Sequence, residues 1–189
     1  MYMKNSIEIQ VLDIGFGNIG TWEAFLPYCG YIARPIRQLE QYSAEEVLIV
    51  PGVGNFTKAI QAIHHANFAE ILKDNSTKIL GVCLGFQVFF DGSEESPLPG
   101  LKRLPGYFEK LNNTNIGWRE VDLIEPEQYF FLHNYALKKQ VCNADVRFSN
   151  DIIASVKSDN FCGLQFHPER SNRAGIKLVK SAIKELING

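Results

Sequence analysis

Lys78-Ile79-Leu80-Gly81-Val82-Cys83-Leu84-Gly85-Phe86-Gln87 is an apolar strand that turns directly into a helical pattern, with a thiol at the joint and a glycine on either side of it. A Cβ at either flank would crowd so sharp a turn. With Cys in place of Ser, the spacing is that of a nucleophile elbow, a strained strand-to-helix turn that lifts the reactive atom clear of the sheet. The N–H groups at the start of the following helix favour thiolate over thiol. Cys83 is therefore a candidate nucleophile, the alternative being a buried structural cysteine.

Outward from this turn, strand-like and helical stretches alternate through the first half of the chain. Ile7 to Leu12, Tyr31 to Pro35, Val47 to Val50 and Ile79 to Val82 read as strands. Gly20 to Cys29 and Lys58 to Leu72 read as helices, and Phe86 to Phe90 starts another. This βαβ rhythm predicts a parallel sheet covered by helices on both faces. The second half reads differently, as Tyr107 to Leu111, Arg119 to Leu123, Tyr129 to Tyr135, Gln140 to Phe148, Ile152 to Lys157 and Phe161 to Phe166 are successive strands separated by turn residues, before a closing amphipathic helix from Ala174 to Ile187. The expected class is α/β, flavodoxin-like: a mixed, mostly parallel central sheet with helices on both faces, and a smaller antiparallel sheet from the C-terminal half. No linker divides the chain, so residues 1–189 are expected to form a single domain.

The base for a thiol nucleophile is sought in Gly163-Leu164-Gln165-Phe166-His167-Pro168-Glu169-Arg170. Pro168 biases His167 away from helical angles, so the run reads as a strand ending in an extended turn. Residues two apart in such a segment project to one side, which puts the Glu169 carboxylate within reach of the His167 imidazole. One ring nitrogen can then hold Glu169 while the other faces a thiol, as a Cys–His–acid triad requires.

Composition agrees with a cytoplasmic enzyme. The chain has 189 residues, 46% of them hydrophobic, and a net charge of −2 with Lys and Arg dispersed, so neither nucleic acid nor a membrane surface is an expected partner. No apolar run approaches the roughly 20 residues needed to span a bilayer. Cys29, Cys83, Cys142 and Cys162 show no close paired spacing that would suggest zinc or a redox CxxC, and neither metal nor cofactor is expected. One motif points elsewhere: Gly15-Phe16-Gly17-Asn18-Ile19-Gly20 matches GxGxxG after the first strand, with Glu40 at about the ribose-binding distance of roughly 20 residues. Dinucleotide binding is accordingly the alternative from local sequence.

Taken together, Pro51-Gly52-Val53-Gly54, the Gly81 to Gln87 block, Ser93-Glu94-Glu95 and Gln165-Phe166-His167-Pro168-Glu169 resemble the triad-type glutamine amidotransferases over nearly the whole chain. Asp13-Ile14-Gly15-Phe16-Gly17-Asn18, Ile116-Gly117-Trp118 and Phe131-Leu132-His133-Asn134-Tyr135 are most similar to the branch formed by the glutaminase subunits of imidazole glycerol phosphate synthases, which serve histidine biosynthesis. The resemblance implies that Cys83 attacks the side-chain amide of L-glutamine, with His167 as proton carrier and Glu169 orienting it. It implies an oxyanion hole from Leu84 and the Gly52-Val53 peptide, which flanking glycines let reorient, and a glutamine pocket that includes Gln87, Glu95, Asn134 and Tyr135. It also implies a heterodimer with a (β/α)8-barrel cyclase that consumes the ammonia, contacted by Asn18, Trp118 and Arg170. Thr114-Asn115 stands where that branch commonly carries Pro-His. Two alternatives therefore stay open, a paralogue supplying ammonia for nucleotide-sugar amination or amidination and a non-catalytic relative.

Overall fold

The computed structural model describes residues 7–122, 127–138 and 144–189. In the first half, β1 (Ile7–Leu12), β2 (Tyr31–Ile36), β3 (Leu48–Val50) and β4 (Ile79–Val82) alternate with α1 (Ile19–Cys29), α2 (Phe56–His65) and α3 (Ala69–Lys73). The short α4 (Leu84–Gln87) follows the elbow, and β5 (Gly92–Ser93), β6 (Tyr107–Val121), β7 (Glu127–Ala136), β8 (Asp145–Ser149), β9 (Ile152–Ser158), β10 (Phe161–Leu164) and α5 (Asn172–Asn188) complete the chain. Among the described residues, one seven-stranded sheet runs β2-β1-β3-β4-β10-β9-β8, and a second sheet runs β5-β6-β7.

The strands of the large sheet are apolar because helices cover both of its faces. Leu48, Val50 and Ile79 project into one buried cluster with α2 residues Phe56 and Ile60. Ile49, Leu80 and Val82, offset by one residue, project into the other, with Trp22 and Leu26 of α1 and Val179 and Ile183 of α5. Burial at Gly175, Val179, Ala182, Ile183 and Leu186 gives α5 the three-and-four spacing of a helix packed on one side.

The structure departs from the sequence expectation in four places. The run from Lys58 to Leu72 is two helices, broken where Asn67 adopts φ 61°, a left-handed conformation that Asn tolerates. The helix after the elbow stops at Gln87 because the carbonyls of Val88 and Phe90 are taken by the N–H groups of Leu101 and Lys102. Tyr107 to Leu111 and Arg119 to Leu123 belong, as far as Val121, to one strand whose register with β7 shifts between Lys110 and Asn115. The C-terminal strands do not all enter the small sheet: β10 joins the large one parallel to β4, and β9 and β8 extend it in antiparallel fashion. Leu123 and residues 140–143 of the expected fourth C-terminal strand lie outside the described residues. No helix among the described residues is long and apolar enough to cross a membrane.

The insertion of β10 beside β4 positions the candidate site. Both strands run the same way, with Leu164 beside Val82, so the turns that follow them emerge at the same edge of the sheet. Ligand sites of open α/β sheets lie at that carboxyl edge.

Candidate active site

Cys83 sits at that edge with φ 53° and ψ −115°, a strained conformation for a residue with a Cβ. The surroundings enforce it. A Cβ on Gly85 would overlap the Val50 carbonyl, and one on Gly81 would come 2.8 Å from the Gly85 carbonyl oxygen. The Cys83 N–H donates to the Leu164 carbonyl at 2.7 Å, tying the elbow to β10, while its Sγ points toward the Leu132 carbonyl of β7 at 3.8 Å.

His167 follows β10 and is pinned from the other side, its N–H donating to the Phe130 carbonyl at 2.8 Å. The Ser171 hydroxyl donates to the His167 carbonyl at 2.6 Å and accepts the Phe130 N–H at 3.0 Å. Glu169 reaches the ring as expected but by a different route. Pro168–Arg170 form a 3-10 turn, not an extended segment, and the turn folds the carboxylate back so that Oε1 lies 2.7 Å from Nδ1. Cys83 lines the same cavity as this ring. Burial opposes charge on this ring, but hydrogen bonds to Cys83 and Glu169, together with their negative charge, outweigh it and push His167 up to about 10. Both partners therefore favour the protonated ring.

Cys83, His167 and Glu169 line a cavity of about 270 Å³ whose wall also includes Gln87, Glu95, Asn134 and Tyr135. Gln87 is buried, and its Nε2 donates to Gln165 Oε1 at 3.1 Å and to the Tyr135 carbonyl at 3.4 Å. One Glu95 oxygen accepts the Phe56 N–H at 2.8 Å, where α2 begins. Asn134 Oδ1 accepts from the Thr114 hydroxyl at 2.7 Å. Asn18 caps α1 by accepting the Thr21 N–H at 3.3 Å, and with Arg170 it lies at the cavity wall. Trp118 stands outside the cavity on the small sheet, 42% exposed, edge-on to Phe130, with the Arg170 guanidinium on that same phenyl ring.

The oxyanion-hole candidates are in place but engaged. The Leu84 N–H donates to the Gly52 carbonyl at 3.3 Å, and the Val53 N–H donates to the Phe16 carbonyl at 2.7 Å. Neither is directed at a point beside the sulfur. The GxGxxG loop supplies this brace, since Phe16 lies within it, and Gly17 packs against Pro51 so closely that a Cβ would come 2.7 Å from its ring. Glu40 lies in a 3-10 turn beyond the end of β2.

A histidine that sequence reasoning left unassigned also belongs to the site. His133 lines the cavity, 6% exposed, with Nδ1 2.9 Å from the Tyr135 carbonyl and Nε2 2.9 Å from the Asn115 amide nitrogen. Burial is the main cause that pushes it down to about 4, and the neighbouring His167 adds to the effect. The signal was present in the period-two pattern of β7, which puts residue 133 on the buried face with Tyr129 and Phe131.

Comparison with known proteins agrees with this geometry. The family model for "Glutamine amidotransferase class-I" matches residues 31–185. The chain is 34% identical over 184 residues to the imidazole glycerol phosphate synthase subunit HisH of Exiguobacterium sibiricum, covering 91% of this chain and 92% of that protein. It is 30% identical over 185 residues to the subunit of the same name from Staphylococcus aureus, covering 93% and 96%. A crystal structure of a glutamine amidotransferase superposes with a TM-score of 0.80 at 16% identity, over 94% of this chain and 98% of that one, a likeness of fold. An elbow cysteine, a carboxylate-held imidazole and a family match across most of the chain converge: this protein belongs to the class-I glutamine amidotransferases.

Proposed function

We propose that this chain is the glutaminase subunit of an imidazole glycerol phosphate synthase, releasing ammonia from L-glutamine for a second chain. The observation that supports the chemistry is the Glu169–His167 pair, 2.7 Å apart, lining the same cavity as Cys83. Cys83 Sγ attacks the side-chain carbonyl carbon of glutamine, and the His167 imidazolium gives its proton to the departing nitrogen, so ammonia leaves and a γ-glutamyl thioester remains. The now neutral His167 takes a proton from water, the resulting hydroxide attacks the thioester, and glutamate departs as the sulfur recovers its electron pair. Glu169 holds Nδ1 throughout, so the other nitrogen carries the mobile proton. The names of the relatives at 30% and 34% identity support the synthase assignment.

Both tetrahedral intermediates carry an oxyanion that needs N–H donors. Leu84 and Val53 supply them once the Gly52-Val53 peptide turns over, because the same rotation removes the Gly52 carbonyl from Leu84 and frees Val53 from Phe16. Gly54, with φ 100°, absorbs part of that rotation. Gln87, Glu95, Asn134 and Tyr135 hold the amino-acid end of glutamine, Glu95 facing the ammonium group. The partner, a (β/α)8-barrel cyclase, docks on Asn18, Trp118 and Arg170 and on the exposed Val53, Ile116 and Leu132 beside them. Contact at Val53 then links docking to the peptide rotation.

Cys83→Ala tests the reading in the complex isolated with its native partner. Glutamine-driven synthesis and glutamate release should vanish while synthesis from added ammonium persists. Loss of both, or survival of glutamate release, contradicts it.

A further inference from the structure

We propose that His133 is a positioning residue for glutamine binding: its Nδ1–H fixes the Tyr135 carbonyl, Asn115 fixes its tautomer, and together they hold the end of β7 where Asn134 and Tyr135 face the cavity. The assignment rests on the glutamine-pocket reading above. A carbonyl only accepts, so the ring nitrogen 2.9 Å from the Tyr135 oxygen must carry the hydrogen. The neutral ring then has a bare Nε2, and the Asn115 amide at 2.9 Å donates to it. Both nitrogens are committed, so His133 takes no part in moving the proton that Cys83 and His167 share. A polar ring beside Phe131 in a buried layer would be costly without these bonds.

The strand needs this support at this point because its ladder is interrupted. Lys110 pairs with Tyr135, but the next pair is Asn115 with His133, so residues 111–114 stand opposite Asn134 alone. Side chains take the place of the missing rungs: Thr114 bonds Asn134, and Asn115 bonds His133. The Tyr135 carbonyl also accepts from Gln87 at 3.4 Å, so the same oxygen ties the helix after the elbow to the strand. Losing the His133 donor frees Tyr135 and loosens Gln87 with it.

The test compares glutamine affinity by titration calorimetry in the full chain carrying Cys83→Ala to prevent turnover. Adding His133→Leu should weaken binding about tenfold, the worth of one neutral hydrogen bond. His133→Asn, whose amide can still donate to Tyr135, should recover most of it. Asn115→Ala, at a half-buried strand position, should weaken binding about threefold and leave folding intact. Nitrogen NMR of the imidazoles at neutral pH should show His133 protonated at Nδ1 and bare at Nε2, and a mixture of tautomers in Asn115→Ala. A His133→Asn protein that binds no better than His133→Leu, or a ring protonated at Nε2, overturns this assignment alone. A parent that binds no glutamine overturns the pocket reading and this assignment with it.

Discussion

The end of β10 and the end of β7 each deliver a buried imidazole to the same cavity, and the two rings are driven in opposite directions. His167, 5% exposed, is pushed up to about 10, whereas His133, 6% exposed, is pushed down to about 4. Burial alone would depress both. The difference lies in what the nitrogens meet: a carboxylate and a cysteine at His167, a carbonyl and a neutral amide at His133. On the proposed reading, one ring is thereby suited to carry a proton and the other to serve as a fixed strut. In a buried site the partner's charge, and not the residue type, decides which role a histidine takes.

Substituting the carrier breaks the contrast most severely. His167→Asn should lower glutamine turnover by roughly 10³-fold or more, against a far smaller effect of His133→Asn, measured as glutamate release by the complex. Glu169→Gln should make His167 resemble His133, with about a hundredfold loss of turnover and a lower titration point in NMR. Stability against pH sharpens the same contrast. A raised folded value means that the His167 contribution is complete below its ordinary 6.5 and is lost as pH rises toward about 10. The lowered value of His133 means that its contribution is complete above 6.5 and is lost as pH falls toward about 4. Denaturant unfolding should therefore show Glu169→Gln flattening the alkaline decline and His133→Asn flattening the acid one; effects in the opposite windows would refute the assignment. The smallest expected effect on the site itself is that of Trp118→Ala. It should leave glutamine binding by the isolated chain unchanged while weakening partner association about tenfold or more.

Much of the β10 side was legible from sequence; on the β7 side the resemblance pointed to Asn134 and Tyr135, which line the cavity, but not to His133. The elbow announces itself locally, through glycines that leave room for the Val50 and Gly85 carbonyls, and the HPE triplet carries its own acid partner. The extended geometry assumed for that triplet was wrong, because a proline that excludes α-helix before it readily starts a 3-10 turn after it. The role of His133 depends on Asn115, a cross-strand neighbour, and on a register shift that no local pattern encodes. The same limit explains the C-terminal strands: their antiparallel character is local, but their membership of the large sheet is decided by which neighbour each one finds. The engagement of Val53 with Phe16 was equally hidden, since glycines on either side of a residue permit two peptide orientations without choosing one.

The central claim is that, among the described cysteines, Cys83 is the nucleophile and depends on His167 as its proton partner. Burial pushes Cys29 up to about 11 and Cys162 up to about 12, so neither competes for an electrophile at neutral pH. The direct measurement is alkylation by a chloroketone analogue of glutamine, mapped by peptide mass spectrometry in the complex and in its His167→Asn variant. The account predicts a label on Cys83 only, suppressed by glutamine and slowed sharply without the imidazole. A label spread over the other cysteines, or one on Cys83 whose rate does not depend on His167, would contradict it.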